Sequence, residues 1–257
     1  MNRRTLIKAG LAASIAGVSD VKAENTENHF YELRTYQLRN DLKSGRVMEF
    51  HEKHFIPAAK KAGVGTVGCF TVVSGQQTPS LIVLVEYKSM ADLSVVRNSL
   101  MDNKEYMAAW KEFETGVEIP YVRFESSLLR AFDGHRQSEI PKRNKEARLF
   151  ELRTYESRNQ FSLRDKLDMF NREEIQIFRD SGFAPVFFGS GVFGTRLPSL
   201  TYMVGFDNME AREKCWKTFV SSEAFNRIKK LPGWTDPEAV SNIYGSFLRP
   251  TAFSDIY

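Results

Sequence analysis

The sequence predicts an α+β fold in which two tandem βαββαβ halves pack sheet to sheet around a shared barrel. Two observations predict it: an internal repeat at one constant offset, and the order of strand and helix patterns inside each copy. The chain has 257 residues, of which 42% are hydrophobic and 26% charged, values that are ordinary for a globular protein. Such a length suits one large domain or two of about 110–130 residues.

The chain after the first 23 residues consists of two copies of one repeat unit. Residues 32–36 (ELRTY) recur as residues 151–155, at an offset of 119. The same offset relates the pairs Gly63/Gly182, Gly75/Gly194, Met90/Met209 and Ser127/Ser246. Chance similarity would not keep one offset across the whole unit, so the sequence indicates a tandem duplication.

The first three elements of each copy are a strand, a helix and a strand. Residues 30–37 alternate and are rich in Tyr, Thr and Leu, which is typical of a strand. Residues 43–62 follow helical spacing and end before Gly63. Residues 67–73 are apolar and β-branched, which predicts the second strand.

The last three elements are a strand, a helix and a strand. Residues 81–85 are apolar on both faces, as in a central strand that is buried on both sides. Ser89 and Asp92 form a capping box that begins a helix running to about Thr115. Residues 121–130 supply the last strand, and the polar segment 133–146 is predicted to be a linker between domains 29–132 and 147–253.

The order βαββαβ is that of the ferredoxin-like fold, whose helices cover only one face of the sheet. A domain of this kind leaves an apolar sheet face in water unless a partner covers it. The duplicate copy offers that partner within the same chain. We therefore expect two ferredoxin-like halves that form an intrachain pseudo-dimeric α+β barrel.

The charge balance argues against a nucleic-acid partner. The whole chain has a net charge of +4, but residues 1–23 alone contribute +3, which leaves +1 for the remaining residues. Binding to phosphates needs a larger positive charge on one face. No later apolar run approaches the ~18–20 residues of a transmembrane span.

The first 23 residues predict a signal peptide. Arg3 and Arg4 precede a mild apolar stretch over residues 9–18, and small or β-branched residues at 21 and 23 suit cleavage after Ala23. This arrangement resembles the twin-arginine class of leader, and the resemblance implies export in a folded state to a bacterial periplasm. The alternative is an ordinary amphipathic N-terminal helix.

The edges of both copies carry a family resemblance. Residues 31–36 (YELRTY) and 127–130 (SLLR), with residues 150–155 (FELRTY) and 247–251 (FLRPT), resemble the edges of the NIPSNAP domain. The first copy departs from the pattern at Ala131, where the family tends to have Pro. The resemblance implies a dimeric α+β barrel, and it brings no catalytic residues with it.

Polar side chains on the first strand of each copy are the candidate ligand-binding residues: Glu32, Arg34, Tyr36, Glu151, Arg153 and Tyr155. Strand side chains alternate, so each trio shares one face. Because Leu33 suits the helix-covered side, we expect both trios to face the barrel interior. Two interpretations stay open: structural ion pairs, since buried charges must be paired, or a polar pocket for an anionic or carbonyl ligand.

The histidines and cysteines are predicted to be packing residues. His51 and His54 fall on the sheet-facing side of the first helix, but a metal site needs a third ligand, and the second copy has Phe170 and Glu173 there. Metal or acid–base use is the alternative. Cys69 and Cys215 replace apolar residues of the other copy, and the alternative is a disulfide bond between them.

No motif predicts a cofactor, a metal or a catalytic residue. The function we expect is a binding or interaction module that holds a small molecule between the sheets. The alternative is a cofactor-independent enzyme, monooxygenase- or isomerase-like, that acts inside the barrel; this rests on analogy of fold. A barrel with room for a ligand and with Arg34 and Arg153 unpaired would favour the enzyme, whereas a barrel plugged by side chains would favour an interaction role. The sequence also allows a homo-oligomer.

Overall fold

The structure, a computed structural model, describes residues 27–38, 45–76, 78–117, 119–142, 146 and 148–257. The predicted signal peptide, with Arg3, Arg4 and the cleavage site after Ala23, lies outside the described residues and stays a prediction.

The first half contains four strands and a helical layer. Its strands are β1 (Phe30–Gln37), β2 (Val67–Ser74), β3 (Ser80–Tyr87) and β4 (Arg123–Ala131). Its helices are α1 (Gly45–Phe50), α2 (Ile56–Lys61), α3 (Met90–Asp102) and α4 (Lys104–Thr115), with a π-helical turn, π1 (His51–Phe55), joining α1 to α2. The expected long helix is therefore two helices, because the Asn103 side chain accepts a hydrogen bond from the Tyr106 amide and caps α4.

The second half repeats this order. Its strands are β5 (Leu149–Ser157), β6 (Ala184–Phe193), β7 (Ser199–Phe206) and β8 (Val240–Pro250). Its helices are α5 (Gln160–Met169), α6 (Ile175–Asp180), α7 (Met209–Ser221), α8 (Glu223–Ile228) and α9 (Asp236–Ala239), with the turn π2 (Phe170–Glu174) between α5 and α6. The predicted α+β class and the tandem halves are confirmed.

The eight strands close into one antiparallel barrel in the order β1-β3-β2-β8-β5-β7-β6-β4. The halves join through hydrogen bonds between β2 and β8 and between β4 and β6. Closure leaves neither half with an unpaired sheet edge.

Apolar side chains fill the barrel interior. Tyr31 packs on Phe187 from the opposite half with ring centroids 5.0 Å apart, and Phe70 packs on Phe150 at 5.3 Å. Leu84, Leu129, Val186, Met203 and Leu248 belong to the same cluster. The predicted ligand space between the sheets is therefore largely occupied by side chains.

The predicted orientation of the first strand is wrong. Tyr31 and Leu33 belong to the barrel interior, so Glu32, Arg34 and Tyr36 face the helices of the first half. Glu151, Arg153 and Tyr155 likewise face the helices of the second half. The physical reason is that buried charges need partners. Glu32 finds them in Arg34, Tyr87 and Ser126 on the helix-facing side of the sheet, and Glu151 finds them in Arg212 and Trp216 of α7, whereas the middle of the barrel is packed with apolar side chains.

The segment predicted to be a linker packs against both halves. The buried His135 lies 3.2 Å from the Val186 carbonyl through Nε2, and the Ser138 amide donates to Glu86 at 2.7 Å. Cys69 and Cys215 are unbonded thiols in the cores of different halves. Among the described residues, none of the helices has the length and apolarity that a membrane crossing requires.

Candidate functional site

A cavity of about 430 Å³ lies between the sheet of the first half and its helices α3 and α4. Its walls are mostly rings, contributed by Tyr36, Phe50, Phe55, Tyr106, Trp110, Phe113, Tyr121 and Phe124. Its charged residues are Glu32, Arg34, Arg97 and Glu114. We refer to this space as the helix-side cavity.

An ion pair forms the floor of the helix-side cavity. Arg34 Nη2 donates to Glu32 Oε2 at 2.8 Å, Tyr87 donates to the same oxygen at 2.9 Å, and Ser126 donates to Oε1 at 2.9 Å. Burial alone would raise the pKa of Glu32, but the Arg34 charge and these hydrogen bonds bring the pKa below its ordinary value. The floor is therefore a pair of opposite charges, in which Arg34 Nε is buried and has no hydrogen-bond partner among the described residues.

The equivalent pair in the second half has more partners. Glu151 accepts from Arg153 at 2.8 Å, from Arg212 at 2.7 and 3.0 Å, and from the Trp216 indole at 3.1 Å. The Arg153 guanidinium stacks over Trp216, 4.9 Å from the ring centroid. This cluster ties the strand β5 to the helix α7.

The two halves differ in how they use the space beneath the helices. Trp216 and Phe219 stand where the repeat offset places Arg97 and Leu100 of the first half. Phe219 is 2% exposed and stacks on Phe178 with centroids 4.6 Å apart. In the second half, larger rings therefore occupy the space that the smaller Leu100 and the outward Arg97 leave open in the first half.

Tyr36 forms one wall of the helix-side cavity. Its ring lies 4.8 Å from the rings of His51 and Phe124 and 5.4 Å from that of Tyr121. Burial raises the pKa of Tyr36 to about 12, against the opposing effect of the Arg34 charge. The hydroxyl is therefore protonated at neutral pH. Tyr155, its counterpart, shares a 3.0 Å hydrogen bond with Tyr202 instead.

His51 stands behind this wall as a buried, neutral imidazole. Its Nδ1 lies 2.7 Å from the Val47 carbonyl, an acceptor, so Nδ1 carries the proton and Nε2 is a bare acceptor. Nε2 is buried and has no hydrogen-bond partner in the described part of the chain. Burial lowers the pKa of His51 to about 4. His51 begins the turn π1, and such turns are frequent at functional sites.

The cavity mouth carries one cation. Arg97 is exposed, and no side-chain hydrogen bond or ion pair of Arg97 occurs within the described ranges. Glu114, on the opposite wall, accepts from the Tyr121 hydroxyl at 2.8 Å and from the Trp110 indole at 3.2 Å. No group of three metal-ligating side chains is found among the residues that the structure describes.

The structure thus divides the six predicted site residues. Glu32, Arg34 and Tyr36 line one cavity, whereas Glu151, Arg153 and Tyr155 lie in a packed layer of the other half. The sequence predicted correctly that His51 points toward the sheet, but it gave no indication of Arg97, Glu114 or Trp110 as cavity residues. The differences between the two copies at Arg97 and Leu100 were the available signal.

Three solved structures share the fold across most of this chain. A Fusobacterium nucleatum protein provisionally described as a monooxygenase has a TM-score of 0.57 and 7% identity, covering 87% of this chain and 93% of its own. A Lactobacillus acidophilus protein with the same description has a TM-score of 0.56 and 9% identity, covering 87% and 94%. An anthrone oxidase-like protein has a TM-score of 0.52 and 12% identity, covering 88% and 93%. At these identities the likeness shows the fold alone.

Comparison with curated protein sequences gives no match. The NIPSNAP family profile matches residues 31–132 and, separately, residues 150–255. The two matched segments begin in β1 and β5 and end just after β4 and β8, so each covers one half of the barrel. The chain therefore belongs to the NIPSNAP family, and it carries two tandem NIPSNAP segments.

Proposed function

We propose that this protein binds a small aromatic molecule in the helix-side cavity. One observation carries the proposal: the first half has a ring-lined space of about 430 Å³, bordered by Leu100, where the second half has the buried Phe219 stacked on Phe178. Ligand pockets are typically ~300–1,000 Å³, mostly apolar, with a few polar groups that fix orientation. The side chains that fill the barrel favour an interaction role by the criterion given above, but that role gives no reason for the cavity beneath the helices.

The lining suggests the chemistry of the ligand. Aromatic walls favour a planar ring, which packs against them by stacking or edge contacts. Glu32 and Arg34 neutralise each other, so the floor suits an uncharged molecule. The Glu114 carboxylate on the cavity wall can accept a hydrogen bond from a hydroxyl group of the ligand. A hydroxylated aromatic molecule of the size of a naphthol meets these conditions.

Calorimetric titration of the purified protein with 1-naphthol tests the proposal. We expect saturable binding that Leu100→Phe weakens at least about tenfold, because it places in the cavity wall the ring that the second half has at this position. Val220→Phe adds the same ring at an exposed position of α7 and is the matched control. Equal affinity of the wild type and both variants would contradict a site in this cavity.

A second candidate function, catalysis by proton transfer, is favoured by His51. A neutral imidazole with an unpartnered nitrogen, behind the Tyr36 wall of the cavity, is in the form that accepts a proton. Since its pKa is about 4, the basic form prevails above that pH, and turnover should fall as the pH drops through about 4. The naphtholate so formed would be oxidised by O2, the co-substrate, to naphthoquinone and water. His51→Phe, which copies the second half, should then abolish oxygen uptake yet preserve naphthol binding.

Export is also part of the proposal, because the leader has paired arginines, an apolar run and a small-residue cleavage site in the right order. Replacing Arg3 and Arg4 together by Lys should leave the protein uncleaved and inside the cell. Fractionation and immunoblotting measure this, and an unchanged periplasmic yield would contradict it.

A further inference from the structure

A second cavity, of about 100 Å³, opens at one end of the barrel, where both halves meet. We refer to it as the barrel-end cavity. It is distant in structure from the helix-side cavity, because it lies inside the ring of strands rather than beneath the helices. Gln76 of the β2–β3 loop and Arg196 of the β6–β7 loop reach over its mouth.

Hydroxyl groups from both halves line the walls of the barrel-end cavity. The repeat offset relates Thr35 to Thr154 and Ser127 to Ser246, and all four line the cavity. Thr201 adds a fifth hydroxyl and shares a 2.9 Å hydrogen bond with Thr154. Hydroxyls both donate and accept hydrogen bonds, so these walls suit a polar ligand of either charge.

Arg196 is held across the mouth by contacts with both halves. Its guanidinium lies 4.2 Å from the centroid of the Tyr244 ring, and Nη2 donates to Gln76 Oε1 at 3.1 Å. Its backbone has φ 66°, a left-handed conformation that no other non-glycine among the described residues adopts. Such strain persists only where surrounding contacts impose it. No ion pair of Arg196 occurs in the described part of the chain.

Glu125 brings the opposite charge to the same cavity from the strand β4. Glu125 is half-buried, and it forms no ion pair with Arg196 or with any other residue of the described ranges. The repeat offset relates Glu125 to Tyr244 and Arg196 to Gln77, so neither charge is repeated. Each half therefore supplies one charge to a space in which the repeat relates four of the hydroxyls in two pairs.

We propose that the barrel-end cavity binds a small zwitterion, an amino acid of the size of glycine or alanine. The carboxylate would face the Arg196 guanidinium, the ammonium group would face Glu125, and the hydroxyls would take the remaining hydrogen bonds. A volume of about 100 Å³ suits a ligand with only a few non-hydrogen atoms. This inference does not depend on the helix-side cavity.

Calorimetric titration of the full mature chain with glycine tests the inference, with acetate and methylammonium as probes of each charge alone. We expect glycine to bind more tightly than either. Arg196→Gln, which introduces the residue of the first copy, and Glu125→Gln should each weaken glycine binding at least about tenfold. Arg172→Gln, on an exposed arginine of π2, is the matched control for loss of a charge.

Three results would overturn the inference. The first is the absence of saturable glycine binding by the wild type. The second is acetate binding as tight as that of glycine and unaffected by Glu125→Gln, which would make this an anion site. The third is equal loss in Arg172→Gln. Circular dichroism and thermal unfolding check that each variant is folded. Leu100→Phe should keep glycine binding, which separates this site from the naphthol site.

Discussion

At the scale of single residues, the same Glu-x-Arg sequence has different surroundings in the two halves. Arg34 is the only guanidinium bonded to Glu32 among the described residues, whereas Glu151 receives both Arg153 and Arg212. The side chains of Arg34 and Glu32 are 12% and 13% exposed. The consequence of losing one arginine should therefore depend on which copy loses it.

Arg34→Met should lower the free energy of unfolding by roughly 3–5 kcal/mol, because it leaves Glu32 buried without a cation. Combining it with Glu32→Gln should recover part of that loss, since no uncompensated charge remains. Arg153→Met is the matched variant, and its loss should be smaller because Arg212 still bonds to Glu151. Urea unfolding measures all three, and equal losses for the two arginines would contradict this account.

His51 predicts a pH dependence of stability. Burial lowers its folded pKa to about 4, below the unfolded value of about 6.5, so folding favours the neutral ring. The contribution is complete above about pH 6.5 and is lost as the pH falls toward about 4. His51→Phe should therefore lose less stability than the wild type between pH 7 and pH 5.

Urea unfolding at these two pH values measures the effect. His54→Phe, three residues along the same helical layer and only half-buried, should behave like the wild type. If His51→Phe and the wild type lost the same stability, the imidazole would not be buried and neutral as described.

At the scale of elements, the alternation of β1 was readable from the sequence, but its direction was not. Period-two alternation places Leu33 and Arg34 on opposite faces of the strand, but it does not indicate which face lies inside the barrel. Both faces of this strand are buried, one under helices and one in the barrel, so the usual rule of apolar inside and polar outside does not decide. Glu151 faces the helices because Arg212, on α7, lies there and bonds to its carboxylate.

The paired loops at the barrel end give an element-scale prediction. Gly75 and Gly194 have φ 148° and 140°, and a Cβ on either would overlap the hydroxyl of Ser246 or Ser127 in the opposite half. Gly75→Ala and Gly194→Ala should each destabilise the fold by more than about 1 kcal/mol, because both the backbone and the space exclude a methyl group.

Gly45→Ala is the control for this pair, since Gly45 begins α1 with open space around its Cβ position and should be neutral or slightly stabilised. Thermal unfolding measures the three variants. A neutral effect of Gly194→Ala would mean that the β6–β7 loop does not close on β4.

At the scale of the whole molecule, the repeat in the sequence predicted the architecture, because one constant offset defines two equal halves. It could not predict the functional difference between the halves. That difference depends on which side chains fill the space between the sheet and the helices of each half. They are Arg97 and Leu100 in the first copy, and Trp216 and Phe219 in the second. Side-chain volumes at matched positions carry this information only once the face of each strand is known.

Each half of the barrel should depend on the other half for its solubility. A first half of residues 24–135 would expose the barrel face of its sheet, including Tyr31, Phe70 and Leu84, each fully buried in the whole chain. It would also leave β2 and β4 without the partners β8 and β6. Exposed apolar faces and unpaired strand edges promote association, so this fragment should dimerise or precipitate.

Adding residues 145–257 in trans should restore a soluble complex of one copy of each fragment, because the missing surface is that of the other half. Analytical ultracentrifugation of the fragments alone and mixed measures this. Leu84→Lys in the first fragment is the informative variant: it should make the fragment alone more soluble and yet prevent rescue, since a charge cannot enter the packed barrel. A first half that is soluble and monomeric without any substitution would contradict the interdependence of the halves.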